Sequence, residues 1–193
     1  MPEIIFTVCL GVGLSAACGF RVFVPFLIVS LAGLNGYLHL TPSFQWIASY
    51  PALVVFSVAT LFEILGYFIP WVDHALDTIA VPLATVAGVL ISVSVFTDIN
   101  PLLKWTLAVI AGGGAAGVVQ AGTVLLRASS TAATGGLANP LVAFIELGGA
   151  VIVALAALVI PVVLVVALLF FFVFFAKKIF GKSGLFRKKE SRA

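Results

Sequence analysis

Apolar residues run through this chain in long unbroken stretches, with only short polar intervals between them. A membrane β-strand would alternate apolar and polar positions over about ten residues. No such alternation is present, so the runs read as helices. Five are predicted, at 4–34, 51–69, 81–96, 101–126 and 140–175. The first has a small-residue half, GVGLSAACGF, and a bulky half, VFVPFLIVSL. Pro25 falls inside it, which predicts a kink or break near 18–25. The polar, aromatic interval 35–50 follows, with Trp46 and Tyr50 suited to headgroup level. Pro51 opens the second helix and Pro70 ends it. The segment WVDHALDTIA then reads as a short interfacial amphipath, and Thr97 to Pro101 as a tight turn. The polar stretch ASSTAATGGLANP, after the fourth helix, reads as a flexible loop. The fifth helix would be roughly 54 Å long at 1.5 Å per residue, against about 30 Å of hydrocarbon. Either it is tilted and projects into the cytoplasm or it is two spans bent near Pro161; no polar turn interrupts it, so one long kinked helix is expected. The fold class is therefore all-α, a polytopic transmembrane bundle of about five spans with broken or kinked helices.

Composition narrows the class. Of 193 residues, 63% are hydrophobic and 9% charged, with a mean hydropathy of +1.29. Soluble domains carry about 25% charged residues, so this chain cannot cover a water-facing surface. Most of the basic residues behind its net charge of +3 lie in the tail, from Lys177 to Arg192. A basic juxtamembrane tail is expected in the cytoplasm, which makes 177–193 an anchor rather than a nucleic-acid arm. With five spans the N-terminus is then outside, Lys104 inside, Asp73 and Asp77 outside, and Arg127 on the outer side against the rule. Six spans would repair Arg127 and spoil Lys104. The first segment lacks the basic flank of a cleaved signal and is expected to remain. Cys9 and Cys18 are too far apart on one helix to bond.

Small residues recur at helical spacing. Gly11, Ser15 and Gly19 fall four apart and precede Arg21; Gly113, Gly117 and Ala121 fall four apart and precede Arg127. Such spacing puts the small residues on one face, where a neighbouring backbone can approach closely. The helices starting at Pro51 and Pro140 each carry one glutamate, Glu63 and Glu146. The order suggests two units, 4–70 and 101–176, around a connector at 81–96. An odd connector would invert the second unit, an architecture common among transporters. The membrane domain is taken as 1–176.

Arg21, Glu63, Arg127 and Glu146 are the candidate chemistry. A charge at mid-helix costs about 2.5–3.5 kcal/mol on insertion scales, and two arginines with two glutamates can pair to neutrality. They predict a substrate or ion pathway, joined by Gln120 inside the small-residue run and Asn139 at the loop's end. The competing reading is a structural ion pair, with Arg127 snorkelling from its helix end. Asp73, His74 and Asp77 would suit metal or acid–base work only if the interfacial helix faces inward. His39 stands alone. No Walker loop, HExxH, GxSxG or CxxC occurs, so an enzyme, a cofactor and a metal are not expected.

Three segments, GLSAACGFRVFVPFL at 13–27, the helix around Glu63 with WVDHALDT after it, and TGGLANPLVAFIE at 134–146, resemble a bacterial multi-pass membrane domain of unknown function, number 4126 among such families. The resemblance implies a small integral membrane protein and no catalytic residue. The expected function is a small secondary transporter or channel for a small solute or ion, in a bacterial cytoplasmic membrane and able to form a homodimer. An accessory subunit of a larger membrane complex is the alternative. The expected partners are the bilayer and the solute, without nucleic acid.

Overall fold

The computed structural model describes residues 2–67, 69–97 and 99–190; at 2, 70–75, 77, 175, 176 and 178–190 the description is of the backbone alone. Eight α-helices make up the fold, with no strand among the described residues: α1 (Pro2–Cys18), α2 (Phe23–Leu34), α3 (Tyr50–Gly66), α4 (Pro70–Val95), α5 (Pro101–Leu107), α6 (Gly114–Thr134), α7 (Asn139–Val159) and α8 (Pro161–Glu190). A 3-10 turn, Pro42–Ile47, precedes α3, and a π-helical turn, Ala108–Gly113, joins α5 to α6. Three helical stretches are long and apolar enough to cross a membrane: Thr78–Val95, Pro101–Thr134 and Asn139–Val159. α1, α2, α3 and Pro161–Phe174 are shorter apolar helices.

The small-residue helix α1 is the centre of the bundle, packed against α4, α6, α7 and α8. Its small side chains permit this. Ser15 Oγ donates to the Gly88 carbonyl at 2.6 Å. Ser92 Oγ lies 2.7 Å from Ser15 Oγ and 3.2 Å from the Gly11 carbonyl. These bonds pair positions 11 and 15 with 92 and 88, so α1 and α4 are antiparallel. In the π-helical turn before α6, a Cβ added at Gly112 would lie 3.0 Å from the Gly88 carbonyl, and in α6 one at Gly117 2.8 Å from Thr85 Oγ1. That pairing makes α6 antiparallel to α4 as well. α1 and α6 therefore run in the same sense, and the two small-residue helices are not inverted relative to each other. The expected inversion fails because the first segment is two helices, which changes the parity.

The break falls where Pro25 and the small run place it, but it reverses the chain. Phe6 and Leu10 of α1 share a cavity with Ile28, Leu31 and Asn35 from the far end of α2 and its cap, which is only achievable if α2 folds back. The fifth segment also departs from a single rod. Leu155 and Val159 share that same cavity with Phe6. Leu164, beyond the break at Ile160, abuts Gly13, and Leu168 and Phe172 lie beside Ala16 and Val118. Thus α8 turns back from α7 at Ile160, whose φ of −137° and ψ of 54° are non-helical.

Two further boundaries differ from expectation. The interfacial segment is not separate, since α4 runs from Pro70 through Pro82 to Val95; proline is tolerated inside membrane helices where neighbours satisfy the freed carbonyl. The stretch ASSTAAT is not a loop but the last two turns of α6. Ser129 donates to the Leu125 carbonyl and Thr134 to the Ser130 carbonyl, each at 2.8 Å. Gly135 and Gly136, at φ 64° and 88°, then make the turn into α7. The side chains of Asp73, His74 and Asp77, residue Asp98 of the 97–101 turn, and the tail side chains from Lys178 onward lie outside the described residues.

Candidate functional site

The site forms where α1 ends. Gly19 is required there, because a Cβ would stand 2.5 Å from the Ala116 carbonyl and 2.5 Å from the Val119 side chain. The chain leaves the helix at Gly19 and re-enters one at Phe23, so the first N–H groups of α2 have no carbonyl before them. Glu63, half-buried on α3, supplies acceptors: Oε1 takes the N–H of Val22 at 2.7 Å and Oε2 that of Phe23 at 3.1 Å. A carboxylate at a helix N-terminus also complements the helix dipole.

Between these helices lies Arg21, 1% exposed. One terminal nitrogen, NH2, donates to the Ala143 carbonyl at 3.1 Å and lies 3.3 Å from Glu146 Oε2. Its Nε and NH1 are buried without a hydrogen-bond partner among the described residues. Glu146, 2% exposed, is shared. Arg127 grips it in bidentate fashion, with Nε to Oε1 at 2.9 Å and NH2 to Oε2. Planar guanidinium and carboxylate groups match in this way. Arg127 is 3% exposed, so it faces the bundle and does not snorkel.

Tyr67, at the end of α3, completes the cluster. The guanidinium carbons of Arg21 and Arg127 stand 3.9 and 3.7 Å from its ring centroid. Both cations thus lie against the one ring. The π-cloud attracts both, and both also share one carboxylate. Two arginines and two glutamates sum to zero charge. Beside the cluster a cavity of about 680 Å³, partly open to the outside, is walled by Val22, Phe23, Phe62 and Leu83, with Glu63, Tyr67 and Gln120 as its polar members.

Arg21, Arg127 and Glu146 thus meet directly, and Glu63 joins them through the N-terminus of α2. Gln120 lies on the cavity wall, its Nε2 donating to Thr123 Oγ1 at 3.0 Å. Asn139 stays about two turns of α7 away from Glu146, its Nδ2 donating to Thr131 Oγ1 at 3.0 Å. The packing residues sit at close approaches: Gly11 against the Phe96 ring, Gly113 against Val89, and Ser15, Gly19 and Gly117 as described. Tyr67 was not anticipated, although it lies four residues after Glu63 and so shares its helix face. The serine pair of α1 and α4 was half seen, through Ser15 without Ser92. No group of three His, Cys, Asp or Glu residues able to hold a metal occurs among the described residues.

The chain belongs to a family described as a domain of unknown function (DUF4126), whose profile matches residues 8–179. No curated protein and no solved structure matches it.

Proposed function

We propose that this member of the DUF4126 family is a small transporter or channel of a bacterial cytoplasmic membrane, with its basic tail in the cytoplasm, and that a small polar or anionic solute passes Arg21. The observation that carries this is the two donor nitrogens of buried Arg21, Nε and NH1, that have no partner among the described residues and lie beside a broken helix. Buried donors nearly always have partners, and a solute acceptor would complete this set. Helices broken at depth, with their N-termini turned toward the ligand, are a recurrent way to build transporter sites. Glu63 then acts as a movable plug on the N-terminus of α2, and Glu146 as the fixed counterion of both arginines. No step in this reading requires a covalent reaction.

The test is reconstitution in liposomes with flux measured for protons and a panel of small anions. Arg21→Lys and Glu63→Gln should each reduce the flux at least tenfold. Flux that no variant alters, or no flux above empty liposomes for any solute, sinks the reading. The accessory-subunit alternative is favoured by one observation, the near-complete burial of Arg127 and Glu146 against each other. It requires a stoichiometric protein partner after mild extraction.

A further inference from the structure

The cavity beside the cluster has a chemistry separate from that of the arginines. Its walls come from α3, α4, the start of α2 and Gln120 of α6, and they are almost wholly apolar. Its volume, about 680 Å³, lies within the roughly 300–1,000 Å³ of small-molecule pockets. Arg21 does not line it. Its polar members are Glu63, Tyr67 and Gln120, and of these Glu63 and Gln120 carry side-chain oxygens with spare capacity.

Both offer acceptors. Each Glu63 oxygen takes one backbone N–H and keeps a further lone pair. The orientation of Gln120 follows from its neighbours. Thr123 Oγ1 donates its only proton to the Gln120 carbonyl at 3.0 Å, so it can only accept from Gln120 Nε2. Gln120 Oε1 therefore points away from Thr123, with no hydrogen-bond partner among the described residues. The cavity thus presents acceptor oxygens from both groups, beside the second N–H of Gln120 Nε2 and the Tyr67 phenol. A head group that can both donate and accept, on an apolar body, matches this set. Its charge is constrained too. The two arginines and two glutamates can balance one another, so an ammonium or carboxylate head would add a charge among apolar walls, which is costly.

We propose that this cavity binds a neutral amphiphile with a hydroxyl head, a lipid-like alcohol that enters from the bilayer between α3 and α4 and donates its hydroxyl to Glu63 or Gln120. This does not depend on transport by the arginine cluster. A non-transporting protein would bind the alcohol equally well.

The test uses the full chain in phosphatidylcholine nanodiscs and a hexadecanol analogue with a photoreactive diazirine on its chain. Label is expected in peptides containing Phe62 and Leu83. Unlabelled hexadecanol should compete about tenfold better than palmitate, hexadecylamine or hexadecane, the margin of one well-made hydrogen bond. Gln120→Leu, a substitution of similar size that removes the acceptor, should cut labelling severalfold, as should Leu83→Trp by filling the space. Glu63→Gln should also weaken it, and Gln120→Leu keeps the test decisive if that variant fails to fold. Equal competition by all four compounds would mean ordinary surrounding lipid and would overturn the proposal. Preference for palmitate, or label spread evenly over lipid-facing helices, would overturn it as well.

Discussion

Glu63 reaches across 41 residues of sequence to accept the backbone N–H of Val22 at 2.7 Å. With the second bond, to Phe23, it does for α2 what a local cap does for an ordinary helix, in a place where lipid offers no acceptor. Two backbone donors freed by the break at Gly19–Val22 would otherwise be orphaned. Glu63→Ala should therefore destabilise the protein by about 1–3 kcal/mol, the cost of leaving buried groups unmade. Glu63→Gln should lose less, since its amide oxygen can still accept one bond. Cys18 is fully buried, so with the half-buried Cys9 replaced by serine the temperature at which a thiol-reactive dye labels Cys18 in detergent reads out the order wild type, Gln, Ala. Equal labelling temperatures for all three would remove Glu63 from the architecture.

Glu146 is bound by two arginines, and that asymmetry is measurable. Glu146→Gln leaves both guanidiniums with only Glu63 as a nearby carboxylate among the described residues, whereas Arg127→Gln leaves Arg21 and Glu146 still paired. Removing one partner of a buried pair costs about 3–5 kcal/mol, and Glu146→Gln should fall at the upper end and Arg127→Gln lower. The double variant should be less damaging than the sum, with a coupling of about 0.5–3 kcal/mol. The same dye-based melts give all four corners of the cycle. Strict additivity would mean that the bidentate contact contributes nothing to the fold.

Much of this site was legible in the sequence because charge is rare in an apolar chain. Arg21, Glu63, Arg127 and Glu146 stand out on composition alone, and cost forces such groups to find one another. The small-residue spacing pointed to α1 and α6 as close-packed helices for a similar reason. What did not follow was direction. A proline inside an apolar run signals a disturbance but not its angle: the chain reverses at Gly19–Val22, where a kink or break is expected, and at Ile160, where a kink is. That undid the inverted-repeat reading, since each added reversal flips the parity of everything after it. Residues 129–134 were misread for a different reason. Their hydroxyls suggested a loop, yet Ser129 and Thr134 satisfy them on carbonyls one turn back, and the three alanines in ASSTAAT favour helix. Tyr67 was overlooked because an aromatic in a membrane helix is ordinary until its cation partners are known.

The glycines divide into two groups with opposite expected effects. At Gly19 a methyl group would meet the Ala116 carbonyl at 2.5 Å, and backbone cannot step aside cheaply. At Gly122 and Gly148 nothing lies within 4 Å of an added Cβ. Gly19→Ala should lower the labelling temperature of Cys18 markedly, by about 1–3 kcal/mol of overpacking. Gly122→Ala and Gly148→Ala should raise it slightly, by up to about 1 kcal/mol, because alanine loses less backbone entropy in a helix. A uniform response across the three would show that helix propensity, and not close approach, governs these positions.

Gly135 ends α6 in the left-handed region, at φ 64° and ψ 21°, and its N–H bonds to the Thr131 carbonyl at 2.8 Å. This is the usual geometry of a helix C-terminus that closes on glycine. A side chain there meets no neighbouring atom within 4 Å, so any cost is one of backbone conformation alone. Gly135→Ala should then cost about 1 kcal/mol, and Gly135→Asn less, since asparagine tolerates that region better. Thr131 braces the same turn by accepting from Asn139 Nδ2. Thr131→Val removes that acceptor while keeping the shape, and should speed proteolysis at 135–138 severalfold in detergent without shifting the main melt of the bundle. If Gly135→Ala and Gly135→Asn prove equally harmful, a steric clash governs the turn, and the conformational account of α6's end is wrong.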